Sequence, residues 1–262
     1  MTWRPHFIAL DIDGTITREG REEIAPAVHA AIRRAVDHGA RVVLATGRSL
    51  IGTRKVVADL DLRGSTAICS NGAVWWDTTS GEVVRQVTFD PGPAVRLLRD
   101  LLPGAVFGAE VTGVGNLSLG TFPPGNLWGE TRHVDEAGLV ATPTSRLVVH
   151  WLDHTPEELA LRLLDVELPG VQASVDHTLA WLTLAPPRVT KGAALARLCA
   201  DLAVDPADAL AVGDGHNDLE MLRWAGHGVA MGQAPATVRE VADTVTATVL
   251  EDGLAQVLDR YF

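Results

Sequence analysis

The sequence predicts an α/β fold, a doubly wound parallel sheet carrying an inserted α+β domain, and three observations lead to it. Strand-like and helix-like segments alternate through the first third of the chain. The same alternation returns in the last quarter, and the middle changes to hairpin-like strands separated by Gly/Pro-rich turns. Near-continuous apolar strands that alternate with helices are the pattern of a parallel sheet covered on both faces.

Residues 6–10 read as a strand that runs into Asp11 and Asp13. A helix over 25–37 ends before Gly39, 41–45 (Arg-Val-Val-Leu-Ala) reads as a strand, 49–60 as a helix and 66–69 as a strand. From Trp75 to about Ala185 the turns Thr79-Ser80-Gly81 and Phe122-Pro123-Pro124-Gly125 punctuate short strands, with helices expected over 93–102 and 156–165. Pro186-Pro187 closes this stretch. Beyond it, 191–203 reads as a helix, 209–212 (Ala-Leu-Ala-Val) as a strand, 217–225 as a helix, 227–231 as a short strand and 235–242 as a helix. The expected division is 1–82 and 187–262 for the parallel-sheet core and 83–186 for the insertion.

The 262 residues are 47% hydrophobic and 21% charged, which suits a packed globular chain and argues against disorder. A formal net charge of −11 without any Lys/Arg cluster argues against a nucleic-acid partner. No apolar run approaches the roughly 18 residues of a bilayer span, and Met1 to Pro5 lacks a signal-peptide pattern, so no membrane partner and a cytoplasmic location are expected. Cys69 and Cys199 lie far apart without CxxC spacing and read as reduced core residues. The oligomeric state stays open between a monomer and a weak dimer.

Four segments place chemistry-bearing residues just past strand ends or at a helix start, where a parallel sheet gathers its ligands. In a strand, Asp11 and Asp13 project to the same side. Two carboxylates about 4 Å apart repel by roughly 4 kcal/mol at an effective dielectric near 20, so the pair calls for a cation, a proton or both. Thr46-Gly47-Arg48 offers a hydroxyl and a close backbone approach. Lys191, one of only two lysines with Lys55, starts a helix, where a cation opposes the macrodipole unless an anion sits there too. Gly213-Asp214-Gly215-His216-Asn217-Asp218 follows an apolar strand, and its hard oxygen donors suit Mg²⁺ better than zinc. Each segment alone has a plainer reading: a strand-exit turn, a helix N-cap, a solvated lysine, a Gly-rich loop capping a helix. Their order along one alternating pattern points to a single site.

Asp11-Ile-Asp-Gly-Thr15, Thr46, Lys191 and Gly213-Asp-Gly-His-Asn-Asp218 resemble the four motifs of the haloacid dehalogenase superfamily of phosphohydrolases. Ser70-Asn71-Gly72-Ala73, with an α+β cap of about 100 residues inserted between the second and third motifs, resembles the Cof-type subgroup. Gly215 stands where the family often has serine, a small departure. The resemblance implies a Rossmann-like core and a small-molecule phosphate ester as substrate, a sugar phosphate or a phosphorylated cofactor. It further implies that Asp11 is the nucleophile that forms an aspartyl-phosphate and Asp13 the general acid and base. Mg²⁺ would be held by Asp11, the Asp13 carbonyl and Asp214. Thr46, Gly47, Lys191 and Asn217 would bind phosphate, with Arg48, Asn71 and Asp218 in support. A phosphomutase or phosphotransferase, and a non-catalytic phosphometabolite-binding regulator, are the alternatives. In the cap, Trp128, Trp151 and Trp181 read either as ring-stacking residues or as core. His150 and His154 have i,i+4 spacing, but on a strand-like run, which argues against a metal pair; His133 and His177 are equally unspecific.

Overall fold

The computed structural model describes residues 3–18 and 21–262. The chain begins with β1 (Phe7–Leu10), α1 (Pro26–Asp37), β2 (Arg41–Leu44), α2 (Leu50–Asp59), β3 (Thr66–Cys69), β4 (Val74–Asp77) and β5 (Val83–Gln86). Then come α3 (Gly92–Leu101), β6 (Val106–Val111), β7 (Gly115–Leu119), β8 (Glu130–His133), α4 (Glu136–Leu139), β9 (Leu147–His150), α5 (Pro156–Leu163), β10 (Gln172–Val175) and β11 (Trp181–Ala185). The chain ends with α6 (Lys191–Asp201), β12 (Ala209–Gly213), α7 (Leu219–Trp224), β13 (His227–Ala230), α8 (Ala236–Arg239), β14 (Thr244–Val245) and α9 (Gly253–Leu258).

A five-stranded, all-parallel sheet in the order β14-β13-β12-β1-β2 forms the centre, with β1 between β12 and β2. Its strands are apolar on both sides because both sides are covered. Ile8, Leu10, Val42, Leu44, Leu210 and Val212 pack with α1 and α9, whereas Phe7, Ala9, Val43 and Ala211 pack with α6 and α7. The sequence order reverses at β1, so the crevice past its C-terminal end is the expected ligand position. Beside β2, an antiparallel sheet β3-β4-β5 is tied on through the parallel Ala45–Ile68 bridge.

A six-stranded sheet, β10-β11-β9-β6-β7-β8, is antiparallel except for β7–β8. Phe107, Ala109, Leu147, Val149, Leu182 and Leu184 on one face pack with α3 and α5. The register places Ser118, Gly108, Val148, Thr183 and Ser174 in one row on the opposite face, which is the polar one. One parallel sheet together with further, largely antiparallel sheets matches the predicted α/β class with an α+β insertion.

Several expected elements are shorter than predicted. The helix expected over 217–225 is a 3₁₀ turn, His216–Asp218, followed by α7, because Asp218 turns its side chain back onto the backbone N–H groups that precede the turn. The helix expected over 235–242 shrinks to α8, while β14 and α9 were not anticipated; β14 is only two residues long and offers no periodicity. Cys69 and Cys199 are both free and buried. Burial pushes their thiols up to about 12 and about 11, so neither is an available nucleophile at neutral pH. Among the described residues, no helix is long and apolar enough to cross a membrane.

Candidate active site

The β1 strand ends at Leu10, so Asp11 and Asp13 lie in the turn beyond it and the strand's two-residue alternation no longer governs their side chains. The two carboxylates still line one cleft, and each meets a cation, Lys191 for Asp11 and Arg48 for Asp13. Asp11 Oδ1 accepts from Lys191 Nζ at 2.6 Å, and the Lys191 ammonium also donates to Asp218 Oδ1 at 2.6 Å. Asp218 uses its other oxygen, Oδ2, to accept the backbone N–H groups of Asp214 and Gly215, each at 2.9 Å. With both oxygens engaged, Asp218 is an organiser of this cluster rather than an open metal ligand.

Lys191 projects from the first turn of α6, whose N-cap Thr190 accepts the Ala193 N–H. Its side chain has no exposed surface. Burial pulls its pKa down, but Asp11 and Asp218 more than offset that, and the ammonium is held above its ordinary range. Asp11 moves up as well. Burial is the largest cause, opposed by Lys191 and reinforced by Asp218 and Asp214.

Asp11, Asp214 and Asp218 bring carboxylate oxygens within 4.8 Å of one another. Three carboxylates against one ammonium leave two formal negative charges in a buried cluster, and a divalent cation would cancel them. The donors are hard oxygens, which fits Mg²⁺. Gly14, at φ +78°, makes room for this arrangement, because a Cβ there would overlap Asp214 Oδ2. Gln233 steadies the same carboxylate: its Nε2 donates to Asp214 Oδ2 at 3.1 Å and to the Gly14 carbonyl at 2.6 Å, while its Oε1 accepts the Val249 N–H. The sequence reading missed Gln233, although it lies in the loop that follows β13, beside the loop in which Asp214 follows β12. We expect Gly14→Ala to abolish any Mg²⁺-induced rise in Tm and to cost about 1–2 kcal/mol from the left-handed backbone alone. Thermal melts with and without Mg²⁺ check both; an undiminished metal-induced shift would contradict this reading of the cradle.

Arg48 clamps Asp13 with two bonds, Nε to Oδ2 at 2.8 Å and Nη2 to Oδ1 at 2.6 Å. The guanidinium is buried and also donates to Thr17 Oγ1 and the Arg21 carbonyl. Burial lowers the Arg48 pKa, yet Asp13 outweighs it and the net movement is upward. Thr46 Oγ1 accepts the Arg48 N–H at 3.1 Å, which uses a lone pair and leaves the hydroxyl hydrogen to donate.

Ser70, Asn71 and Gly72 all take positive φ (51°, 55° and 108°), a rare run for non-glycine residues. The turn presents Asn71, whose Oδ1 accepts from Asn217 Nδ2 at 3.0 Å, and presses Gly72 against the Thr190 carbonyl. It also meets the inserted segment, since Ser70 donates to Glu110 Oε2 at 2.5 Å. Arg146 pairs with that same oxygen at 3.5 Å and donates to the Gly47 carbonyl at 3.2 Å. Nothing in the sequence flagged Glu110 or Arg146.

One cleft is lined by Asp11, Asp13, Gly47, Arg48, Asn71, Asp214 and Asn217 from the core. From the insertion it is lined by Trp128, Arg146, Ser174, Asp176, Trp181 and Thr183. Thr46, Lys191 and Asp218 are fully buried behind it, and Lys191 borders an adjoining hollow that shares Asn71 and Asn217. Trp151 is buried in the insertion's core and stacks on His154, away from this lining. His150 ends β9 with its ring beside Trp181, and His154 lies in the following turn.

A family model described as haloacid dehalogenase-like hydrolase matches residues 8–103 and 162–258. A phosphoglycolate phosphatase of Haloarcula marismortui is 30% identical, aligning 97% of this chain with 96% of its own. The 5-amino-6-(5-phospho-D-ribitylamino)uracil phosphatase YcsE of Bacillus subtilis is 28% identical, over 97% and 95% of the two chains. A solved structure of a haloacid dehalogenase-like hydrolase from Bacteroides thetaiotaomicron superposes with a TM-score of 0.81 at 25% identity, covering 99% of this chain and all of that one.

Proposed function

The chain belongs to the haloacid dehalogenase-like hydrolases and is a phosphatase of that family, and on this premise we propose that it hydrolyses small phosphorylated metabolites in a Mg²⁺-dependent reaction through an aspartyl-phosphate on Asp11. The observation that carries the proposal is the buried Asp11–Lys191–Asp218 cluster with Asp214 beside it, which is left two charges negative and opens on the cleft. Mg²⁺ would be held by Asp11, Asp214 and the Asp13 carbonyl, and when bound it offsets the charge between an anionic nucleophile and an anionic ester.

Lys191 fixes the rotation of the Asp11 carboxylate by holding Oδ1, so attack on phosphorus needs no reorientation. Thr46 and Lys191 donate toward the phosphoryl oxygens, with Gly47 and Asn217 bordering the same space. Asp13 delivers a proton to the leaving oxygen and then takes one from the attacking water. Both of its oxygens accept from Arg48, so the proton takes a remaining lone pair, whose direction the guanidinium fixes. Proton gain and release at Asp13 are thus tied to the position of Arg48. Asn71 orients Asn217.

The cap half of the cleft favours a neutral, hydroxyl-rich leaving group such as a sugar. Arg146, its one Arg or Lys, is paired with Glu110, and Ser174, Thr183 and Asp176 offer hydrogen bonds beside Trp181. A second anion would find no unpaired Arg or Lys among the described lining residues. A panel of phosphate esters assayed with Mg²⁺ and with EDTA tests this reading. We expect metal-dependent release of free phosphate, with kcat/KM for pentose or hexose phosphates at least about tenfold above that for 2-phosphoglycolate, a difference of ~1.4 kcal/mol. Transfer of the phosphoryl group to a second sugar instead of water would favour the phosphotransferase alternative.

A further inference from the structure

Gly52 lies inside α2 with ordinary helical angles, so the backbone does not require glycine there. A helical glycine costs about 1 kcal/mol relative to alanine. What excludes a side chain is Trp128 of the insertion: a Cβ on Gly52 would come 2.7 Å from the indole Cδ1 and 2.8 Å from Cγ. Trp128 is fastened at its other end, where its carbonyl accepts from the buried Asn116 Nδ2 at 2.8 Å. The following Gly129 makes a second close approach, to Ile51 of the same helix. The indole therefore occupies a seat that α2 leaves bare.

The same ring lies over Arg48, with the guanidinium carbon 5.2 Å from the ring centroid, and Arg48 Nη1 reaches the Gly52 carbonyl at 3.4 Å. Arg48 in turn clamps Asp13 through two bonds. The contacts run without a break from the insertion to the group assigned to proton transfer. We infer that Trp128 is a positioning residue for Asp13: seated on Gly52, it covers Arg48 and holds the Arg48–Asp13 geometry. The inference rests on the proposed role of Asp13 and gives Trp128 a task other than stacking on substrate.

The test compares wild type with Trp128→Ala, Trp128→Phe, Gly52→Ala and the Gly52→Ala/Trp128→Ala double variant, on one ring-bearing sugar phosphate and on glycerol phosphate, which has no ring. We expect Trp128→Ala to lower kcat about 10- to 100-fold on both esters with KM changed less than about threefold, and Trp128→Phe to recover most of it. Gly52→Ala should lower kcat similarly while leaving Tm unchanged or raised, which a merely damaged fold would not do. The double variant should fall no further than the worse single one. Unchanged kcat in Trp128→Ala or in Gly52→Ala would overturn the inference, as would a KM rise confined to the ring-bearing ester. An inactive wild-type protein would instead overturn the reading on which the inference rests.

Discussion

Replacing Asp11 by Asn is expected to lower turnover at least about 10³-fold, and to leave the metal-free protein as stable as before or more so. The two halves of this result have one cause. Asp11 is buried beside Asp214 and Asp218 with a single ammonium among them, and burial is the main force raising its pKa. A carboxyl whose folded-state pKa is raised contributes stability that is fully present below its unfolded pKa and is lost as pH rises through the folded value. Above the unfolded pKa the metal-free protein therefore bears the cost of burying that carboxyl, and the amide removes it. Asn still offers Lys191 an oxygen to donate to. Thermal melts in EDTA should show wild type gaining on Asp11→Asn as pH falls from neutral. A Tm several degrees lower for Asp11→Asn in EDTA at neutral pH would contradict this electrostatic account.

Lys191→Met acts on the same cluster in the opposite direction. Removing this ammonium leaves Asp11 and Asp218 buried without the cation they share, and breaking a buried pair in this way costs about 3–5 kcal/mol. For a chain of this size that corresponds to a fall in Tm of roughly 10 °C. Activity should drop with it, since the nucleophile loses the group that fixes its rotation. Lys191→Arg is not expected to rescue either property. The ammonium meets Asp11 and Asp218 in a side-chain position with no exposed surface, and a planar fork does not reproduce that point contact. Denaturant unfolding of the three proteins measures the first effect and ester hydrolysis the second; a Lys191→Met protein of wild-type stability would refute the assignment.

The parts of this molecule that could be read from sequence are those in which chain position determines spatial position. Apolar runs buried on both faces make a parallel sheet, and residues just past their ends meet at one edge; Asp11, Gly47 and Asp214 come together for that reason. Partners were less legible than places. Arg48 follows β2 as plainly as Thr46 does, but that its guanidinium clamps Asp13 depends on side-chain packing across 35 residues. Asp218 read only as a supporting residue, and which groups it supports depends on packing: it is the second acceptor for Lys191 and a cap for the Asp214 loop. Glu110 and Arg146 carried no local signal, because what matters is where the inserted sheet lands on the Ser70–Gly72 turn and on Gly47. Gly52 carried no local signal either, because its meaning depends on the Trp128 indole that the fold sets against it.

The central claim is that Asp11 becomes phosphorylated during turnover. Rapid acid quenching of the protein with Mg²⁺ and a sugar phosphate, followed by peptide mass spectrometry, tests it most directly. The account predicts a phosphoryl group on the peptide containing Asp11 that forms at least as fast as phosphate is released and is absent from Asp11→Asn. Steady release of phosphate with the phosphoryl group on another residue, or undiminished release by Asp11→Asn, would contradict it.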